Sequence, residues 1–197
     1  MRQEWSPEDL VGSWTLVEED WRLVGNKTGP TRLGFALLLK FFELEARFPR
    51  YAEELPSAAV GYVAGQVKVA AGAFAKYAFS GRTIEYHRAQ IRRAFGFREW
   101  TVADEECLAA WLAEEICPVE LAADRLAEAL LVRCRAERIE PPGPSRLERL
   151  VGAARSAFEA RFCERTVARL GQECARRLAG LVQATDAAGP ARACWRS

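Results

Sequence analysis

Apolar residues recur along this chain at spacings of three and four, and nowhere do they alternate with polar ones over the length of a strand. The densest apolar stretch predicts a helix over about Thr31–Ala46. It is preceded by Lys27-Thr28-Gly29-Pro30, a Gly-Pro turn beside a threonine able to cap. Leu33, Leu37 and Phe41 share one helical face. Phe35, Leu38, Leu39 and Phe42 widen that face until little is left for solvent. Such a segment belongs at the centre of a bundle. The run Leu33–Leu39 is too short to span a bilayer, and Lys27, Arg32 and Lys40 bracket it.

The neighbouring segments read as helices around that centre. Ser6-Pro7-Glu8-Asp9 is a helix start, with Ser6 as cap, Pro7 at the first helical position and acids in the first turn. A short helix over Glu18–Val24 turns Trp21 and Leu23 inward and stops at Gly25-Asn26. After a break at Phe48–Tyr51, a helix runs from Ala58 to about Val69. Its Val60, Val63 and Val67 lie at helical spacing, and Gly61, Ala64 and Gly65 are small enough for close approach. Ala70–Phe79 reads as a further short helix burying Phe74 and Tyr77.

Ser80 or Thr83 can cap the next helix, Ile84–Phe95, which places Ile84, Ile91 and Phe95 on one face and Arg88, Arg92 and Arg93 on another. Thr101 opens a helix carrying Leu108, Trp111, Leu112 and Ile116, closed by Pro118. Leu121–Ile139 is a long helix with Leu126, Leu130, Leu131 and Cys134 inward. Pro141-Pro142-Gly143-Pro144 is the clearest linker, and Ser145 with Glu148 reads as a capping box for a helix reaching about Leu170. A weaker helix covers Cys174–Val182, and the Ala- and Gly-rich end reads as disordered. The expectation is an all-α, multi-helix bundle.

Composition changes this picture little. Half of the 197 residues are hydrophobic, and 28 bases against 27 acids leave a net charge of +1, which does not announce a nucleic-acid binder. The distribution says more. Residues 1–98 hold 14 bases against 11 acids, residues 99–128 one base against nine acids, and residues 129–177 eleven arginines against six acids. The six cysteines form no C-x-x-C pair. No secretory signal precedes Trp5, so the thiols are expected free in a reducing compartment, most of them as small core hydrophobes.

No catalytic constellation is legible. There is no Gly-rich phosphate loop, the single His87 has no nucleophile signature around it, and Glu105-Glu106 and Glu114-Glu115 read as solvated faces. No enzyme activity, cofactor, metal or membrane segment is expected. Binding is what remains. Arginines on the 82–93 helix present forks that suit phosphate or guanine, and His87 and Gln90 can add base contacts. The alternative for the same helix is a surface that only pairs with the acidic block downstream. On the residues alone both stay open.

Three stretches carry a family resemblance. Arg32-Leu33-Gly34-Phe35-Ala36-Leu37-Leu38-Leu39 is similar to an "RLGFALQL" signature. Arg82-Thr83, His87, Ile91-Arg92 and Gly96-Phe97-Arg98 resemble "R-T-x-x-x-H-x-x-x-I-R-x-x-x-G-Y/F-R". Leu147-Glu148-Arg149-Leu150, preceded by Pro144-Ser145-Arg146, is similar to the L-E-R-L end of a "P-x-x-x-x-L-E-R-L" helix start. In order and spacing, over roughly residues 5–170, they resemble the N-terminal DNA-binding region of the Tn-three family of replicative transposases, the TnpA type. That region is also catalogued as a domain of unknown function.

The resemblance implies helix-turn-helix-like modules that grip the terminal inverted repeats of a transposon. Family members continue to a nuclease core with three acidic metal ligands. The resemblance does not reach that core, so strand transfer is not carried over and a truncated transposase end is implied. The DNA-contact candidates are Arg82, His87, Arg88, Gln90, Arg92, Arg93 and Arg98. Arg146 and Arg149 form a second grip, and Lys27 and Arg32 flank the core helix.

The implied organisation is a helical DNA-binding region over 5–140, divisible into 5–79 and 80–140. A Pro-linked segment over 141–182 opens a further module, and 183–197 form a disordered tail. Expected partners are double-stranded DNA carrying the inverted repeats, and an intact transposase or a second copy of the chain. The expected location is the cytoplasm, on the nucleoid. The alternative is a helical protein–protein interaction remnant that associates with an intact transposase.

Overall fold

The computed structural model describes residues 5–187, with side chains to Leu181. The end of the tail read as disordered, 188–197, lies outside the described residues, as does Cys194. The described chain is all-α. Its helices are α1 (Pro7–Trp14), α2 (Glu18–Val24), α3 (Gly29–Glu45), α4 (Ser57–Val67), α5 (Arg82–Ala94), α6 (Val102–Trp111), α7 (Ala123–Ala136) and α8 (Pro144–Ala187). Short 3-10 turns cover Ala52–Glu54 and Ala71–Lys76, and a π turn, Leu112–Ile116, continues α6. Among the described residues no helix is long and apolar enough to cross a membrane.

The chain divides into two compact units. Of the described residues, the first takes those up to Asp104 together with Glu128–Gly143. The second takes Glu105–Ala127 and those from Pro144 onward.

The first unit is built on α3. Every residue from Leu33 to Phe42 is buried, Gly34 and Lys40 included. α1, α2, α4, α5 and the 71–76 turn all pack against it. α1 starts as its sequence predicts: Ser6 Oγ accepts from Asp9 N at 3.1 Å, and Asp9 Oδ2 accepts from Ser6 N at 3.2 Å. The link to α2 is held by α4, where Gln66 accepts from Leu16 N (2.8 Å) and donates to Trp14 O (3.0 Å). Asp20 accepts from Val17 N (3.0 Å) and lies 3.5 Å from the buried Lys40 ammonium, which also pairs with Glu43. α5 opens at Gly81 (φ 87°) without a side-chain cap, so neither Ser80 nor Thr83 plays that part. Glycine is used there because the left-handed region is open to it. A parallel bridge, Arg98 with Ile139, closes the unit through Arg98 N to Arg138 O and Glu140 N to Arg98 O, both 2.9 Å.

In the second unit α8 packs against the π turn. Leu108, Leu112, Ala113, Cys117, Leu126, Leu150, Val151 and Ala154 are its buried residues. α8 opens at Pro144, one residue before the predicted cap. It breaks at Gly171 (φ 69°, ψ 157°), between the two helices its sequence predicts.

Three packing expectations are corrected. Trp21 is 38% exposed, so α2 turns Leu23 and Val24 inward without it. Gly61 and Gly65 face open space, whereas Gly34 is the glycine that admits a neighbour. A Cβ on Gly34 would lie within 2.6 Å of ring atoms of Tyr77, closer than van der Waals contact allows. Only Cys117 and Cys134 are buried; Cys107, Cys163 and Cys174 lie exposed on helix faces, so most of the described cysteines are not core residues.

Alanine is the better helix former by roughly 1 kcal/mol. A clash with a packed aromatic ring costs about 1–3 kcal/mol and outweighs that gain. Gly34→Ala therefore lowers the midpoint of urea unfolding. An unchanged or higher midpoint would show that the Tyr77 ring moves aside freely.

Candidate nucleic-acid interface

α5 carries most of the candidate residues. Successive side chains step about 100° around its axis, and the structure shows where each one goes. Ile84, His87 and Ile91 form the buried side. Arg88 and Arg92 lie on its flank. Arg82, Tyr86, Ala89 and Arg93 are exposed on the opposite side, with Gln90 half-exposed beside them. The candidates therefore do not share one face.

His87 is 3% exposed and does not read bases. Its Nδ1 shares a 2.7 Å hydrogen bond with Tyr77 Oη, and the Phe35 ring meets it edge-on with centroids 5.0 Å apart. Burial, helped by the positive charge of Lys27, pushes its pKa down to about 4, so the ring is neutral near pH 7. Burial pushes the Tyr77 hydroxyl up, so it stays protonated. The sequence held a signal for this: 84, 87 and 91 follow the i, i+3, i+7 pattern of an apolar face.

The flanking arginines are spent on the fold. Arg88 Nη2 donates to Pro49 O at 3.1 Å, and its guanidinium lies over the Phe48 ring. Arg92 pairs with Glu140 at 2.7 Å and with Glu99. Arg98 grips Asp104 through both terminal nitrogens, at 2.6 and 2.5 Å. That guanidinium, with Thr101 also donating, holds the Asp104 carboxyl well below the usual carboxylate range despite its burial.

Lys27 donates to Leu23 O (2.7 Å) and Asn26 Oδ1 (2.9 Å), with its ammonium 3.7 Å from the Phe35 ring centroid. Arg32 donates to Lys27 O (2.6 Å) and Gly25 O (3.2 Å). In the second unit Arg149 pairs with Glu105 at 2.8 Å, and Arg146 lies 3.8 Å from the same carboxylate. The acidic block thus neutralises this second grip.

Arg82 and Arg93 differ from all of these. Both are exposed, and their guanidiniums have no side-chain partner among the described residues. Eleven residues apart, they sit ~16 Å apart along one side of α5. Between them stands Tyr86, 61% exposed, a residue the sequence reading passed over. Its place four residues after Arg82 was the available signal.

A family model described as a domain of unknown function, DUF4158, matches residues 1–154. The chain belongs to that family. It is also 27% identical, over 189 residues and 92% of its length, to the transposase for transposon Tn21 of Escherichia coli. The aligned part is 18% of that transposase, so the chain spans less than a fifth of the relative's length. This DUF4158 chain is therefore a transposase-related helical region.

Because the native pKa of His87 lies below its unfolded value of about 6.5, the unfolded chain takes up the proton first. Stability contributed by the neutral ring is intact above pH 6.5 and falls as pH drops towards 4, by roughly 3 kcal/mol in the limit. Denaturant titrations at pH 7.5 and 4.5 should show a larger loss for the native protein than for His87→Gln. Equal losses would remove His87 as the titrating group.

Proposed function

We propose that this chain is a DNA-binding module related to transposon-end recognition, with terminal inverted repeats as its target and no strand transfer of its own. The observation that carries the reading is the pair of unpartnered guanidiniums, Arg82 and Arg93, on the outward side of a helix whose back is anchored in a core. Guanidiniums held apart on a rigid helix suit phosphates on a duplex. The similarity to a transposase supports DNA as the partner. Of the residues first considered, Arg88, Arg92, Arg98, Lys27 and Arg32 support the helix and its surroundings, and Arg146 and Arg149 reach DNA only by giving up Glu105.

A second reading has its own observation. In the second unit Phe162, Val167 and Leu178 are about half exposed on α8. That exposure favours association with an intact transposase or a second copy.

Binding of the purified chain to a duplex carrying the Tn21 inverted repeat, against a scrambled duplex at two salt concentrations, tests the first reading. Arg82→Ala and Arg93→Ala should each weaken binding to both duplexes and lower the salt dependence by about one unit of slope. Absence of binding to either duplex would discard the DNA reading. Phe162→Glu should leave DNA binding intact and abolish any self-association seen by sedimentation.

A further inference from the structure

We infer that Tyr86 is a base-reading residue, held in place by Gln90 and presented to the major groove between the Arg82 and Arg93 phosphate grips. The inference rests on the DNA-binding reading and adds to it a residue that reads sequence.

The geometry starts from the helix. Arg82 and Arg93 are ~16 Å apart along α5. The major groove of a B-form duplex is about 12 Å wide. A helix crossing that groove with a guanidinium near each end can reach the phosphates on both walls. Whatever stands between the two arginines on the same side then faces the groove floor. Here those residues are Tyr86 and Ala89, both exposed.

The hydroxyl of Tyr86 is prepared for a defined role. Gln90 Nε2 donates to Tyr86 Oη at 3.0 Å. With that oxygen accepting, the phenolic proton is left to be donated outward. The acceptors that meet it on the groove floor are purine N7, guanine O6 and thymine O4. Gln90 itself is turned the wrong way to read a base, because its Oε1 is buried without a partner. The opposite amide orientation would leave a buried NH2 unpaired in place of a carbonyl oxygen, and orphaned buried donors are rarer in folded proteins than under-satisfied carbonyls. Gln90 is thus a positioning residue that acts through Tyr86. The backing is stiff: Ile84, His87 and Ile91 are 0–3% exposed behind this face, and Arg88 and Arg92 tie the flank to Pro49 and Glu140. A rigid scaffold keeps a single hydroxyl in register with one base step.

The test uses the full chain and fluorescence anisotropy at one salt concentration. The probes are a labelled duplex carrying the Tn21 inverted repeat and a scrambled duplex of the same length. Tyr86→Phe removes the hydroxyl and keeps the ring. It should lower the preference for the inverted repeat about fivefold, as the loss of one hydrogen bond does, with binding to the scrambled duplex unchanged. Gln90→Ala should lower the preference by a similar or smaller factor. Tyr86→Phe combined with Gln90→Ala should lose no more than Tyr86→Phe alone, because Gln90 acts through the hydroxyl.

Three results would overturn the inference. If Tyr86→Phe keeps the native preference, Tyr86 reads nothing while the module still binds DNA. If Tyr86→Phe weakens both duplexes alike, the hydroxyl touches a phosphate and not a base. If the unsubstituted chain binds neither duplex, the DNA-binding reading fails and takes this inference with it.

Discussion

Ten consecutive residues of α3, Leu33 to Phe42, leave water together, and the first unit is arranged by that burial. Each large apolar side chain among them contributes about 1.5–3 kcal/mol on transfer. No face of the helix is left for solvent, so elements must cover it on all sides. Tyr77 lies on Gly34, Phe35 meets His87 edge-on, and Phe42 gathers Phe48, Phe95 and Phe97. Lys40 is carried in with the rest. Its ammonium is tolerated because Asp20 and Glu43 lie beside it. Removing one partner of such a pair costs more than the pair contributes, since the survivor stays buried and charged. Asp20 also accepts from Val17 N at the start of α2, so one carboxylate ties two helices together.

The same burial decides what α5 offers to solvent. With Ile84, His87 and Ile91 facing inward, the exposed side passes through Arg82, Tyr86, Ala89 and Arg93. Arg88 and Arg92 sit where the buried side meets the surface. A guanidinium at such a border lays its stem on apolar neighbours and finds the nearest acceptor. Here that acceptor is Pro49 O for one and Glu140 for the other.

Much of the fold was legible in the sequence, because helical periodicity and caps are local. Ser6 with Asp9, the α2 span, the buried stretch of α3 and the break near Gly171 are all written within a few residues of where they act. The candidate site was only half legible, because its decisive facts are distant. Arg92 finds Glu140 across 48 positions, and Arg88 finds Pro49 across 39. A charge count over 82–98 sees five arginines and cannot tell a spent guanidinium from an open one. Gly34 shows the same blindness. Its reason for being glycine is a ring 43 positions later, while Gly61 and Gly65, which look like packing glycines by spacing, face open space.

On the proposed DNA-binding reading, the difference between spent and open arginines fixes the electrostatics of binding. A guanidinium already paired with a carboxylate brings little net charge to a phosphate and displaces few counterions. The two open ones on α5 contribute about −2 to the salt slope, a change in affinity of only about tenfold between 50 and 200 mM salt. A protein making six to ten phosphate contacts would change by about 10³–10⁵ over the same range. A near-neutral chain of 28 bases and 27 acids fits the weaker regime. In that regime charge provides the encounter and the register, not the selectivity. Preference for one duplex over another must then come from uncharged donors and methyl groups facing base edges, where the wrong base leaves a polar group unpaired. Tight binding must come from repetition, since linked modules on repeated sites gain effective concentration without new contacts. On the proposed reading, inverted repeats at two transposon ends would supply that kind of repetition.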